Sequence, residues 1–487
     1  MAFQHGVRVQ EQATSIVAPI TGTAGLQIVF GTAPVNLADD PYSVTNTPVI
    51  AYNWSEAVAK LGYSADWKKY TLCQSMYASF QLIGVAPVVF VNVLDPNTHK
   101  KTNETVIADV IELSSTITIT GILTKTVTVS IPGEENDTPL SSDTDYLLSF
   151  DDNGYLVVTL TATGAGATAA QIKVESTSID PDAVEASDII GVSATGGEKG
   201  LEVLRQIYPK LGMTPGLLLA PGWSQIPDVG IVLAAKCEEI NGFFTCEGFI
   251  DIDSDPVSGC NAYDKVKQFK EAAGCTSAHI MALWPCVTAG SAWFWFSAIM
   301  GALTAYLDAN NDDVPNLSPS NKLIGITGTV LADGETEVVL DQMQGNAVNS
   351  FGVSTAINVN GWRTWGNRSA VYPASTDPKD CFFCCRRFFS WWGNSFILNY
   401  FQKVDEPANL RLIETIVDTE NIRGASYVAD GKCARAEIQF IESENPVTNL
   451  IDGKLRFHQY LTPYPPAEDI LNVLEFDPNA LTTALGG

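Results

Sequence analysis

Basic residues are scarce: the 487-residue sequence holds 28 Lys and Arg against 55 Asp and Glu, a formal net charge of −27. So acidic a chain repels phosphate backbones, which argues against nucleic acid as its main partner, and it keeps free subunits apart at high concentration. Histidine is rarer still. His5, His99, His279 and His458 are scattered with no ligand spacing and no HExxH, so no histidine-rich metal centre is expected. No GxxxxGK[ST] loop is present, which removes the Gly-Lys cradle of an ATPase. The opening MAFQHGVRVQEQ lacks the basic and apolar regions of a secretory signal, so cytoplasmic synthesis is expected. Ten cysteines are too few for a disulfide scaffold and read as buried thiols. Cys381-x-x-Cys384 has no second pair to close a zinc site. No cofactor is expected.

One stretch, 278–307, contains no Asp, Glu, Lys or Arg. Pro285 and the turn Thr288-Ala289-Gly290-Ser291 divide it into a short strand and a helix, so it reads as a buried core helix without membrane insertion.

What is present, 46% hydrophobic and 9% aromatic residues, suffices for several cores. Gln27–Phe30 and Pro87–Leu94 (PVVFVNVL) are continuous apolar runs of the kind buried on both sheet faces. Between them Asn53 caps a helix with Ala57, Val58 and Leu61 on one face. Residues 105–185 change character: 13 acidic residues face only Lys125 and Lys173, and alternating Thr, Val and Ile are broken by hairpin turns such as Asp151-Asp152-Asn153-Gly154. The strand-helix pattern resumes after 200. The expected architecture is therefore α/β and multidomain. An α/β core (21–100 and 190–344) carries an inserted all-β domain (101–189), and a C-terminal α+β domain (345–467) follows. Extended arms are expected at 1–20 and 468–487.

Catalytic signals are weak. Asp251, Asp253 and Asp255 follow a strand, the end where open α/β sheets hold active sites. They keep a hydrolase of surface polymers as an alternative, although no nucleophile with an adjacent base accompanies them. The run Phe388, Phe389, Trp391, Trp392 and Phe396 reads as domain core, with a subunit interface as the second reading.

Several segments, taken in order, resemble the tail sheath proteins of contractile phages and the related R-type bacteriocins and contractile injection systems. They are Gly6-Val7-Arg8-Val9-Gln10-Glu11, Phe30-Gly31-Thr32-Ala33-Pro34, Trp54-Ser55-Glu56-Ala57 with Leu61-Gly62, and Leu218-Leu219-Ala220-Pro221-Gly222. Most specific is Gly361-Trp362-Arg363-Thr364-Trp365-Gly366-Asn367-Arg368-Ser369, similar to a G-x-x-x-WG-x-RT run with Ser369 where Thr is usual. The resemblance covers nearly all the chain except 105–185. It implies a non-enzymatic subunit that assembles with copies of itself, as stacked hexameric rings in a helical contractile cylinder. The cylinder would surround a tail tube protein, between baseplate and tail terminator proteins, in a virion tail assembled in the host bacterial cytoplasm. A surface-layer or capsid-like shell protein is the structural alternative.

Chain ends with strand propensity but no local partner can complete a sheet edge on another subunit. The residues expected to do so are Val7, Val9, Ile16 and Val17 at one end and Ile470, Leu471, Val473 and Leu474 at the other, with the sheet around Ala434–Ile441 as acceptor. From 361 to 411 seven basic residues meet four acidic ones. Within that local excess Arg363, Arg368, Arg386 and Arg387 are candidates to face an acidic tube, or else to form intrachain salt bridges.

Overall fold

Val, Ile and Leu runs too apolar to leave either side in water build the centre of the molecule. The computed structural model describes residues 24–195 and 197–485. Eight strands form one sheet: β1 (Gln27–Gly31), β2 (Pro48–Ala51), β3 (Val88–Asn92), β4 (Leu217–Leu219), β5 (Glu247–Asp251), β6 (Ile280–Leu283), β7 (Val353–Asn358) and β8 (Trp362–Trp365). Their spatial order is β2-β3-β1-β4-β5-β6-β7-β8. From β3 to β7 the neighbours are parallel, and β2 and β8 close the two edges antiparallel. Alternate residues serve opposite cores. Val29, Leu217, Leu219, Phe249 and Met281 pack on one face, and Ile28, Phe30, Leu218, Ile250 and Ile280 on the other.

The sheet corrects one expected boundary. Residues 345–370 do not begin a separate domain, because Val353 and Ser354 pair with Ala282 and Leu283 and extend the core sheet. The C-terminal part starts with the helices beyond it.

Five helices frame the core and the C-terminal part: α1 (Trp54–Leu61), α2 (Pro227–Glu238), α3 (Phe296–Ala309), α4 (Phe383–Tyr400) and α5 (Leu410–Ala429). Asn53 caps α1 as expected, its Oδ1 accepting the Glu56 N–H at 2.9 Å. The charge-free stretch supplies β6, a small hairpin (Cys286–Ala289 and Ala292–Phe294) and α3. No helix among the described residues is long and apolar enough to cross a membrane.

The start of α3 has no capping side chain of its own. Asp251, 2% exposed at the end of β5, does that work from the sheet. Its Oδ1 accepts the Ser297 N–H at 2.9 Å and its Oδ2 the Ser297 hydroxyl at 2.5 Å. Ser224 Oγ donates to the same carboxylate at 3.3 Å. A strand end that could hold substrate is thus closed by a helix.

Residues between 105 and 175 have a core of their own around Ile117, Val129, Tyr146, Leu156, Val158, Ile172 and Val174. One sheet pairs Ser114–Thr120, Tyr155–Leu160 and Tyr146–Phe150, and a second includes Val106–Asp109, Gln171–Glu175 and Thr128–Ile131. Entry and exit run side by side, since Lys100–Thr102 is antiparallel to Thr177–Ile179. That paired stem suits a module carried on the core.

Asp251→Ala leaves the Ser297 N–H and the Ser224 hydroxyl buried without this acceptor. It is expected to lower stability by about 1–3 kcal/mol in denaturant unfolding. Burial pushes the Asp251 carboxyl up to about 6 from 3.8, against the hydrogen bonds from Ser297. The native state therefore binds the extra proton between those values, and this contribution to stability is complete below the unfolded pKa and lost as pH rises through about 6. Asp251→Asn is expected to remove that part of the pH dependence.

Candidate functional site at the roots of the chain ends

In α4, residues 383, 387 and 391 recur at helical spacing and share one face. That face is buried, and it places Arg387 between Phe383 and Trp391. An arginine among aromatic rings needs a buried counter-charge. Asp308, in the last turn of α3, supplies it. Arg387 Nη1 donates to Asp308 Oδ1 at 3.2 Å and Nη2 donates to Asp308 Oδ2, and both side chains are 1% exposed. Burial pushes the Asp308 carboxyl up, and the adjacent guanidinium opposes it.

The same arginine also holds the backbone ahead of β1. Arg387 Nη2 also donates to the Ala24 carbonyl at 2.9 Å, and Asp313 lies near the same joint. Burial, then the nearby Asp308 charge, pushes the Asp313 carboxyl up to about 7. The root of the N-terminal segment is thus held between α3 and α4. Val7, Val9, Ile16 and Val17 lie outside the described residues.

Phe388, Trp391 and Trp392 pack with Ala24, Val314, Cys433 and Ala436, so these members of the aromatic run are core. Arg423 of α5 lies over the Trp392 ring at 4.0 Å, which couples the two long helices. Beside them stands a two-stranded sheet, β9 (Cys433–Gln439) antiparallel to β10 (His458–Pro463).

The outer edge of β9 is occupied. Asn421 of α5 donates to the Ile438 carbonyl at 3.1 Å and accepts the Ile438 N–H at 2.8 Å, so its amide stands where a further strand would pair. A Cβ on Gly424 would lie 2.1 Å from the Ala436 oxygen, which shows how closely α5 follows that edge. Within the sheet around Ala434–Ile441, named above as acceptor, the β9 edge is therefore covered. Among the described residues, the backbone of β10 makes its strand pairs with β9 alone.

Beyond β10 the chain crosses the body as far as Glu468, and the apolar residues after it are exposed. Ile470, Leu471, Val473 and Leu474 are 78–87% exposed and belong to no strand. The segment is not extended to its end: α6 (Pro478–Ala484) forms because Asp477 Oδ1 accepts the Asn479 N–H at 2.9 Å and Pro478 occupies the first turn. The Asp477-Pro478 pair is a helix-start signal legible in the sequence, and it corrects the expectation of an arm extended throughout.

The four candidate tube-facing arginines do not form one open patch. Arg387 is buried in its pair and is removed from the set. Arg386 Nη1 donates to Asp380 at 3.3 Å. Arg363 donates to the carbonyls of Val359 and Asn321, each at 3.2 Å. Arg368 reaches Glu468, a partner no local pattern indicates. The acidic trio disperses as well. Asp251 caps α3, Asp253 Oδ1 accepts the Asp255 N–H at 3.0 Å, and Asp255 Oδ1 accepts the N–H groups of Val257 and Ser258. No group of three His, Cys, Asp or Glu among the described residues is placed to hold a metal.

Arg387→Leu leaves Asp308 charged and buried and is expected to cost about 3–5 kcal/mol in denaturant unfolding. Replacing both partners, Arg387→Met with Asp308→Leu, is expected to recover most of that loss, because an apolar pair needs no desolvation of charge.

No family model matches the chain. It is 26% identical over 517 aligned residues to the tail sheath protein of Burkholderia phage BcepMu, covering 100% of this chain and 99% of that one. It is 27% identical over 293 residues to the tail sheath protein of Escherichia phage P2, covering 58% and 69%. Among solved structures, the sheath complex of an extracellular contractile injection system, PVC, in its contracted state aligns with a TM-score of 0.58 at 13% identity over 99% of both chains. The contracted helical sheath of the anti-feeding prophage aligns with a TM-score of 0.56 at 14% identity, over 98% of this chain and 100% of that one. The chain is thus similar in sequence, end to end, to a phage tail sheath protein, and it shares its fold along nearly its full length with contractile sheaths.

Proposed function

We propose that the chain is the structural subunit of a helical sheath that surrounds a tail tube, is held extended in a metastable state, and contracts to drive the tube through a target envelope. The observation that carries this reading is the C-terminal segment. It is apolar, 78–87% exposed at four positions, and rooted on a body whose α3–α4 joint is locked by a buried ion pair. Such a segment lowers its free energy by completing a sheet on another copy. The acceptor is the β10 edge, since α5 covers that of β9. Head-to-tail pairing of this kind propagates into helical assemblies instead of closing in pairs.

Stacked hexameric rings, an inner tube protein, a baseplate and a terminator are the partners this reading calls for, in a virion tail. Arg363 and Arg386, both less enclosed than Arg387, remain the residues assigned to the tube surface. Contraction needs two packings of one subunit that differ by a few kcal/mol, the scale of ordinary conformational equilibria. Summed along a polymer, that difference releases energy without a nucleotide.

Electron microscopy of the purified chain tests the assembly: hollow tubes are expected, whereas flat lattices or closed shells indicate the alternative shell protein. Pro substitutions at Ile470 and Val473 are expected to abolish tubes while leaving the circular dichroism of the free subunit unchanged. Tubes that persist at wild-type yield contradict the strand-exchange reading. Calorimetry of contraction is expected to show heat release and a higher Tm for the contracted form, and neither appearing removes the proposed energy source.

A further inference from the structure

A well-built polar contact lies where the C-terminal segment departs. Arg368 Nε donates to Glu468 Oε1 at 2.9 Å and Nη2 donates to Glu468 Oε2, a two-pronged pairing, while Nη1 donates to Cys381 Sγ at 3.0 Å. The guanidinium lies 4.0 Å from the Phe382 ring centre and 4.6 Å from that of Tyr372. Its orientation is therefore set by the body before any carboxylate arrives. Exposure is asymmetric: the Arg368 side chain is 15% exposed and that of Glu468 46%. The arginine is a fixed socket and the glutamate a guest on a loose strap. The strap runs from Pro466 to Ile470 along a groove that Ser320, Asn349, Trp365 and Tyr372 help to line.

We infer that Arg368 is a releasable carboxylate socket that latches the root of the C-terminal segment to its own body, and that opening it lengthens the tether between subunits during contraction. This rests on the sheath reading for its role, though the latch is a property of the single chain. Closed, the strap is pinned at Glu468. Open, the free segment begins after Pro463, the last residue paired in β10. Tyr464 to Glu468 adds five residues, about 17 Å at full extension. A subunit lattice whose bodies slide while their strands stay paired needs slack of this kind, and a half-exposed ion pair, which salt screens, can release it without disturbing the core. The basic residue of the WGNRS run thereby acquires a task different from touching a tube.

Spin labels at Met343→Cys and Ile470→Cys, on side chains 81% and 86% exposed in a chain whose ten native cysteines are buried, read the latch by pulsed EPR. In the free chain one narrow body-to-arm distance distribution is expected, and Glu468→Gln, a change on the strap that leaves the body intact, is expected to broaden it at least twofold. Arg368→Lys, which keeps the charge but loses the two-pronged pairing, is expected to broaden it as well. In contracted sheath the unaltered pair is expected to give the broad or shifted distribution of the Gln variant. Superimposable distributions for the parent and Glu468→Gln in the free chain overturn the latch. A contracted sheath that keeps the narrow distribution overturns its role in supplying slack. A chain that forms no tubes, yet whose distributions differ as stated, overturns the sheath reading and leaves the latch standing.

Discussion

A guanidinium without water is the constraint around which the rest of this molecule is arranged. Arg387 can remain charged inside an aromatic cluster only while the Asp308 carboxylate and the Ala24 carbonyl stay in place. That requirement ties together the end of α3, the middle of α4 and the first described residues of the chain. The C-terminal helices, joined to one another through Trp391, Trp392 and Arg423, are fastened to the α/β core by this joint and by neighbouring contacts of α4 such as Ser390 with Glu247 and Asn394 with Thr245. Freedom is left where no such requirement operates: in the strap beyond β10 and in the β module on its two-stranded stem.

This division matches what a contracting lattice demands. Bodies must keep their shape while they move past one another, and the links between them must neither break nor stiffen. The core meets the first demand with six parallel strands covered on both faces and with Asp251 closing the crevice where an enzyme of similar topology would hold its ligand. In the proposed reading the exposed Ile470–Leu474 segment meets the second. Its apolar residues gain little by lying on their own acidic surface and more by burial in a neighbour's sheet.

The parts legible in the sequence are those governed by short-range pattern. PVVFVNVL and LLLAPG read as strands buried on both faces because no alternation is present, and the Asn53 cap needed only its neighbours. The β module was visible because composition and turn chemistry change together at its boundaries. What failed depended on distance along the chain. β7 and β8 join the core sheet through pairing with β6, some 70 residues earlier, so a boundary placed at 345 cut a sheet in two. The burial of Arg387 carried a signal that went unused: it stands at helical spacing between Phe383 and Trp391, and an arginine within an apolar stripe implies a buried acid elsewhere. Asp308, ending an otherwise charge-free helix, was the candidate. Asn421 on the β9 edge and Glu468 in the Arg368 socket had no such signal, because each is meaningful only once the fold has placed its partner.

The account's central claim is that chain ends link bodies without being part of them. Cryo-electron microscopy of the assembled sheath in extended and contracted forms tests it most directly. The segment around Ile470–Leu474 is expected to lie as a strand along the His458–Pro463 edge of a neighbouring subunit in both forms, while the Arg387–Asp308 joint is unchanged between them. A map in which that segment folds back onto its own subunit, or in which the pairing is lost on contraction, contradicts it.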